Sequence, residues 1–521
     1  MRIKPRSRAA LAVAVAAVMT VSTACSGSSS SKSGGGAGGN GTVTMHLDGP
    51  LTSYDPAKGS SFQDAVAIWS MYDPLVDFDS DGKLVPGLAT SWTSTPTSAT
   101  FKLRDGVSCS DGTKLTSQMV VDSLSRFMNP KTAAPFLSLV IGGKNTAKVT
   151  APDASTVKVT LQKPWSGLVP GLTAPYTGII CPAGLKNPSD LLTKSYGTGP
   201  YVAASQVSGA SYTMTRRANY TWGPKFSKAP TTGNPPKTLV LKVVQDESTR
   251  ANLMSTGKLQ IATYGSDAWN RFKGQQGYNV VSEAQSDTWL MFNENKGHPT
   301  ANKNVRKAIS QALNRDMINK IQSFGSGQLI SNLGESSYEC YDPSLDSLIP
   351  TFDTAAASAT LKGVKIRIIG TNLLAGGDAN GYLLSALKAA GADASVTTMN
   401  NETWVGDLFS GKNDWDITIL VLGNTISSLL EAGGFEVGAA PPAGQNLGGV
   451  QNPEADAAFA EAGAKEGAAK CAAMSKFQKS LLTNNDVLPI ATAPVNTLFT
   501  GGTSGVVVKG FVQPGTIRVS K

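Results

Sequence analysis

The sequence predicts an α/β protein of two or three domains. Strand-like and helix-like segments alternate over most of the second half, which is the pattern of α/β lobes with parallel strands. The stretch from Thr42 to Lys521 is about 480 residues, too long for one simple core. No internal repeat breaks it into smaller units.

The first strand is TVTMHLDG (42–49), which alternates apolar and polar residues, and the turn-rich loop SYDPAKGSS (53–61) follows. Apolar residues at helical spacing (Ala65, Ile68, Trp69, Tyr72) predict a helix over 62–76, and DSDGK (79–83) is a hairpin-type turn. A strand at 99–107, a helix at 115–128 capped by Thr116, and a strand at 157–164 come next. Residues 195–224 read as two strands around a glycine turn, and 237–265 as strand, helix, strand. A strand at 286–295 leads to a helix at 304–321. Strands at 364–372, 394–400 and 414–423 alternate with helices at 381–391 and 403–411. Residues 455–482 are helical, and a strand returns at 487–499.

The N-terminus has a different chemistry. Arg2, Lys4, Arg6 and Arg8 form a basic head, and Ala9 to Val21 are almost purely apolar. This is an export signal over 1–24, shorter than the ~20 apolar residues a spanning helix needs. Its small residues Ser22, Thr23 and Ala24 lead into Cys25, which resembles the lipid-attachment cysteine of bacterial lipoproteins, although those prefer Leu, Val or Ile where Ser22 stands. Residues 26–41 offer no apolar area to offset chain entropy. As a Gly/Ser coil they span roughly 20–24 Å, a tether for a domain held at a membrane's outer face.

The formal charge is +9, with 46 basic and 37 acidic residues, and four of the basic ones lie in the leader, which leaves +5. No Lys/Arg run exceeds two residues, so nucleic acid is not an expected partner. Beyond Cys25 the cysteines are Cys109, Cys181, Cys340 and Cys471. An even number in an exported chain predicts two disulfides. Three pairings are open, and the expected one joins neighbours, Cys109–Cys181 and Cys340–Cys471.

Catalytic signatures are missing. The only histidines, His46 and His298, have no acid motif beside them, and no G-x-S-x-G or C-x-x-C occurs in the folded region. Residues 406–413 come within one residue of a phosphate-binding loop, but the predicted order is helix, loop, strand rather than strand, loop, helix. Gly411 reads there as a helix C-terminal cap. No enzyme activity, metal or cofactor is expected.

Six ordered segments carry a resemblance: YDPLVDFDSDGKLVPGLATSW (72–92), FKLRDGVSCSDGTKLTSQMVVDSLSRF (101–127), GTGPY (197–201), RRANYTWG (216–223), VVQDESTRANLMSTGKLQIA (243–262) and FNENKGHPTANKNVRKAISQALNRD (292–316). Together they resemble the solute-binding lipoproteins of ABC importers, in the oligopeptide/dipeptide/nickel-binding family (extracellular solute-binding protein family 5). The resemblance implies a two-lobed periplasmic-binding-protein-like fold of type II, closing on a solute and presenting it to the transmembrane permease. It implies an N-terminal lobe from 42–80, 195–287 and 488–521, an extra subdomain at 81–194 and a C-terminal lobe at 288–487. The hinge would cross near Asp287–Asn293 and Asp486–Ile490. A monomer tethered outside the cytoplasmic membrane is the expected state, and the same jaw serving a lipid-anchored sensor is the alternative.

The resemblance also nominates solute contacts. Peptide-binding relatives place a Trp on a helix of the C-terminal lobe, matched here by Trp404. They end the next strand in G-W-x-x-D, whose Asp pairs with the peptide's α-ammonium. Here Leu422 and Thr425 stand at the Trp and Asp positions, and the nearest acid downstream is Glu431, so a neutral, capped, cyclic or non-peptidic solute is expected. The loop after the first strand contributes Ser53, Tyr54, Ser61 and Phe62, the hinge strand Trp289 and Asn293, and the end of the later strand Asn424 and Thr425. Aromatic side chains suit such clefts because they give large area with few rotors.

Replacing Cys25 with Ser should move the protein from the membrane fraction to the soluble one. Continued retention would refute the lipid anchor.

Overall fold

The computed structural model describes residues 41–412, 414–423 and 428–520, so Cys25, Asn424 and Thr425 lie outside the described residues. Its largest element is a ten-stranded mixed sheet. The strands, in chain order, are β1 (Thr42–Leu47), a β2–β3 hairpin (Val76–Phe78, Leu84–Pro86), β4 (Ala89–Thr95), β5 (Ser98–Leu103), β6 (Ala147–Asp153), β7 (Thr156–Leu161), β8 (Tyr201–Val207), β9 (Ser211–Arg216), β10 (Thr238–Val243), β11 (Ile261–Tyr264), β12 (Asn279–Phe292), β13 (Lys365–Thr371), β14 (Asp393–Met399), β15 (Ile417–Gly423) and β16 (Val487–Phe499). The large sheet runs β14-β13-β15-β12-β16-β11-β1-β10-β9-β8.

Two parallel groups flank an antiparallel centre. β1 runs parallel to β10 and β11 on one side, and β13 runs parallel to β14 and β15 on the other. Between them the long strands β12 and β16 pair antiparallel from Asn279↔Phe499 to Met291↔Val487. β16 is buried on both faces almost throughout, which explains why VLPIATAPVNTLF reads as a continuous apolar run. The β13–β15 group packs under the helices Lys303–Ala312, Arg315–Gln322 and Asp378–Ala389 through Ile309, Ile318, Leu383, Ile366, Ile368 and Ile417. One face of β11 is covered by the helix Glu247–Ser255, whose Ala251 and Met254 share a core with Ala262 and Tyr264.

A separate four-stranded antiparallel sheet, β4-β5-β7-β6, occupies residues 89–161. Alternation decides its faces: Ala99, Phe101 and Leu103 on β5 and Val157, Val159 and Leu161 on β7 are buried. They join one core with Val120, Leu124 and Phe127 of the helix Ser117–Phe127, whose Thr116 cap accepts a hydrogen bond from Met119 N.

Two expected helices are each two. The 304–321 span breaks at Leu313, and Asn314 caps the second piece by accepting from Met317 N. The 455–482 span breaks between Pro453–Gly463 and Gly467–Asn484, where Gly467 takes a φ of +57°. An unbroken apolar period hides both breaks, the first at the Asn314 cap and the second at a glycine in the left-handed region. The first helix ends at Met71 rather than running to 76, because the chain turns extended at Tyr72.

Cys109 is bonded to Cys181 and Cys340 to Cys471, spanning 72 and 131 residues. Among the described residues no helix is long and apolar enough to cross a membrane. Loops of these lengths predict a loss of about 4–5 kcal/mol for each disulfide removed, from restored unfolded-chain entropy. Denaturant unfolding of the Cys340→Ser/Cys471→Ser pair checks this, and a loss under 1 kcal/mol would contradict it.

Candidate functional site

The candidate site is where β12 meets groups from both flanks of the large sheet. Asp287 and Trp289 alternate onto one face of β12, opposite Leu422 and Leu420 of β15. An irregularity in the β12–β16 ladder between Ala284 and Ser286 leaves Gln285 without a partner on β16. Both Gln285 and Glu283 then reach the tight turn at Gly510: Gln285 Nε2 donates to Gly510 O at 3.4 Å, and Gly510 N donates to Glu283 Oε2 at 3.3 Å. Gly510 has a φ of +78°, and a Cβ there would lie 2.7 Å from Gln285 Cβ, so only glycine lets the turn approach so closely.

That turn carries Lys509 and Phe511. Lys509 Nζ donates to Glu335 and, at 2.6 Å, to Ser337 Oγ, and it lies 5.1 Å above the Tyr338 ring. The Phe511 ring packs 5.5 Å from Phe62 and 5.4 Å from Trp69. Phe62 opens the helix Phe62–Met71 and also abuts the end of β15. A Cβ on Gly423 would lie 2.4 Å from its ring. A small cavity of about 40 Å³ remains beside these groups, lined among others by His46, Asp48, Phe62, Gln63, Gln285 and Phe511. A second, of about 340 Å³, lies beyond the Glu335–Cys340 loop and is lined by Phe78, Leu84, Ser337, Leu429, Lys470 and Met474.

The electrostatics of this face are unusual. Asp287 is fully buried, and its carboxyl faces the Tyr338 hydroxyl and the Glu335 backbone N–H. Burial pushes its pKa up to about 8, and Glu335 adds to the rise, while the nearby Tyr338 hydroxyl and Lys509 ammonium pull it down. Glu436 accepts from Trp289 Nε1 at 2.8 Å through Oε1 and leaves Oε2 without a partner; burial again lifts it to about 8. Burial raises Glu283 to about 7. At the far end of the β12–β16 pair, Arg306 bridges Glu294 at 2.8 Å and Asp486 at 2.7 Å.

The residues nominated from sequence divide. Phe62 lies in the junction, and beside it Ser61 Oγ accepts from Asp64 N as the helix cap. Trp289 faces the same side but is fully buried, with its indole N–H held by Glu436. Tyr54 is 2 % exposed and packs on Tyr212, with its ring centroid at 6.3 Å. Trp404, also 2 % exposed, donates from Nε1 to Thr418 Oγ1 at 3.0 Å. Asn293 is fully buried and donates to Trp415 O at 3.0 Å. In this conformation the side chains of Tyr54, Asn293 and Trp404 are enclosed by protein, because large rings and amides with internal partners serve a core as well as a cleft.

Both histidines acquire acids. His46 Nε2 lies 3.4 Å from Asp48, which also pairs with Arg250, and His298 Nδ1 lies 2.8 Å from Asp416, which Arg367 also binds. Sequence reasoning passed over Asp287, Glu335, Glu436 and Lys509. An aspartate inside the apolar strand SDTWLMF was the available signal for the first.

The chain belongs to the bacterial extracellular solute-binding proteins, family 5, whose middle-region model matches residues 83–428. The periplasmic murein peptide-binding protein MppA of Escherichia coli K12 is 28 % identical over 311 residues, and the glutathione-binding protein GsiB of the same strain is 28 % identical over 289. The chain spans about half the length of the curated relatives it matches, 54 % in both cases. Among solved structures, a substrate-binding protein from Microbacterium hydrocarbonoxydans, complexed with 4-hydroxybenzoate hydrazide, is similar at a TM-score of 0.81. It is 32 % identical, and the match covers 92 % of this chain and 100 % of that one. DppA from Helicobacter pylori, complexed with the peptide STSA, shares the two-lobed fold at 20 % identity, with a TM-score of 0.77 over 92 % and 98 % of the chains. This is a family of binding proteins, and relatives named for it are periplasmic.

The raised carboxyls set a pH dependence. Asp287 and Glu436 stay protonated in the folded protein up to about 8 but ionise near pH 4 when unfolded. Between those values the folded state holds more protons, so their effect is to lower stability as pH rises from about 4 to 8. Urea unfolding of Glu436→Gln should show a shallower decline than the wild type, and an unchanged slope would contradict the assignment.

Proposed function

We infer that this protein is the extracytoplasmic solute receptor of an ABC importer, capturing a small solute between two closing lobes and handing it to a permease. The observation that supports this best is the composition of the junction. Phe62, Lys509 and Phe511 come from segments assigned to the N-terminal lobe, and Glu335, Tyr338, Gly423 and Glu436 from the C-terminal lobe. These groups meet over β12, which with β16 forms the crossing between lobes. Solute binding to both halves would favour the closed arrangement over an open one. The lobes are segments 42–80, 195–287 and 488–521 on one side and 288–487 on the other, with 81–194 as the extra subdomain.

The role is binding, without catalysis. The receptor is a monomer held at the outer face of the membrane by lipid on Cys25, with the 26–41 tether leaving it free to turn. The solute is a peptide or a similarly small amide-bearing compound. This draws on relatives named for murein peptide and glutathione and on the structure complexed with 4-hydroxybenzoate hydrazide.

Thermal unfolding with and without a pool of short peptides, and separately with 4-hydroxybenzoate hydrazide, tests the reading. A ligand at 100 times its dissociation constant adds about 2.7 kcal/mol, so an upward shift of a few degrees is expected for one of them. No shift with either, and no small molecule carried through native mass spectrometry, would count against it.

A further inference from the structure

Two buried donors without a hydrogen-bonding partner line one pocket of the fold, Trp69 Nε1 and Gln513 Nε2. Their residues are only 8 % and 4 % exposed. Buried N–H groups are nearly always paired, because leaving one unmade costs its full desolvation. Two arginines line the same pocket, Arg216 and Arg518. Arg216 meets the Tyr201 hydroxyl and lies 5.2 Å from the Tyr201 ring and 5.4 Å from that of Tyr220. Arg518 Nη1 donates to Gly515 O at 3.1 Å and to Ile517 O at 2.9 Å. The arginine ion pairs of the described residues belong to Arg126, Arg250, Arg306 and Arg367, so neither pocket arginine has one.

The pocket encloses about 200 Å³, and its walls come from 69–77, 200–229 and 513–518. All three stretches fall in segments given above to the N-terminal lobe, and none in 288–487, so the pocket is built without the other lobe. Trp69 is its link to the junction over β12, through the Phe511 ring at 5.4 Å. Two acids also line it. Asp73 accepts from the Tyr220 hydroxyl at 2.8 Å and from Trp222 Nε1 at 3.1 Å, and Asp77 accepts from Phe78 N at 2.8 Å. Burial raises both carboxyls, Asp77 to about 8, so Asp77 keeps its proton near pH 7. Two cations therefore stand against one carboxylate that its own donors already occupy. Burial and the neighbouring Arg216 both push Arg518 below the usual guanidinium value, the mark of cations lacking a counter-charge. Pro74, Pro200, Pro224, Pro514 and Phe226 make the remaining wall apolar.

We propose that this pocket is a second binding site, taking a small carboxylate with an apolar body. Arg216 and Arg518 supply the opposing charge, and Trp69 Nε1 and Gln513 Nε2 supply further donors. The planar fork of a guanidinium matches a carboxylate, and such charge-assisted bonds are the strong ones. A single negative charge balances the excess, whereas a phosphate dianion would overshoot it beside Asp73. The volume is below the ~300–1,000 Å³ of clefts for drug-sized ligands, which limits the body to about one ring. The site lies outside the interlobe junction and does not depend on the receptor reading.

Calorimetric titration of benzoate, benzamide and inorganic phosphate into the full mature chain at pH 7 tests the site. Benzoate should bind at least tenfold tighter than benzamide, its neutral counterpart, and at least tenfold tighter than phosphate. Arg518→Gln should weaken benzoate at least tenfold. Trp69→Phe, which deletes the indole N–H and keeps a ring, should weaken it severalfold. Lys509→Met, in the junction, should leave benzoate affinity unchanged. If Arg518→Gln fails to fold, the wild type still decides. With isotope-labelled tryptophan, the Trp69 indole N–H resonance, identified by its loss in Trp69→Phe, should shift as benzoate is added. Equal binding of benzoate and benzamide, a preference for phosphate, or no benzoate binding at millimolar concentration would overturn the site. So would an unmoved Trp69 indole, or binding lost in Lys509→Met and kept in Arg518→Gln. None of these outcomes touches the receptor reading, which is tested with peptides and 4-hydroxybenzoate hydrazide.

Discussion

The antiparallel pairing of β12 with β16 is the constraint on which the rest of the structure depends. These two strands join groups of parallel strands that otherwise share no ladder. Each parallel group needs helices on its faces to bury its apolar side chains, and only the central pair connects one covered group to the other. Residues 279–292 and 487–499 are distant in sequence, and closing so long a loop carries an entropic penalty that grows only slowly with length. The pair also carries the polar network at its far end. Arg306, from the helix Lys303–Ala312, draws Glu294 and Asp486 together just beyond the ladder.

Function follows from the same pair. The irregularity in the ladder at Gln285 brings one face of β12 against the Gly510 turn, and the alternation beyond it presents Asp287 and Trp289 in sequence. The groups that gather there are acidic to an extent the mild overall charge conceals. Glu283, Asp287 and Glu436 all have pKa values lifted by burial, and Glu335 is occupied by Lys509. Carboxyls perturbed by burial and gathered on one face are what makes this region the candidate site. Phe62 and Phe511 provide the apolar counterpart beside it.

Much of the fold was legible in the residues because strands and helices are set by local periodicity. SATFKL and TVKVTL alternate cleanly and became β5 and β7, and KTLVLKVVQDESTRANLMS divided into strand and helix at the Asp246 cap. Two helices divide where the apolar period itself continues, at the Asn314 cap and at Gly467 with its positive φ. The site was less legible. Phe62 was nominated through the resemblance, together with Ser53, Tyr54 and Ser61 of the loop after the first strand. Tyr54 and Trp404 have the same chemical character, yet their polar or ring contacts are all to protein. Aromatic residue type does not distinguish a core from a cleft.

By itself, the sequence determined the α/β class, the order of most elements, and membership signals spread over six segments. Each of these depends on residues close together in the chain. Only the tertiary structure decided that Lys509 meets Glu335 and that Phe62 meets Gly423. Those facts join positions more than 170 residues apart. No local pattern encodes such a meeting, because it depends on how the whole fold packs segments that are distant in the chain.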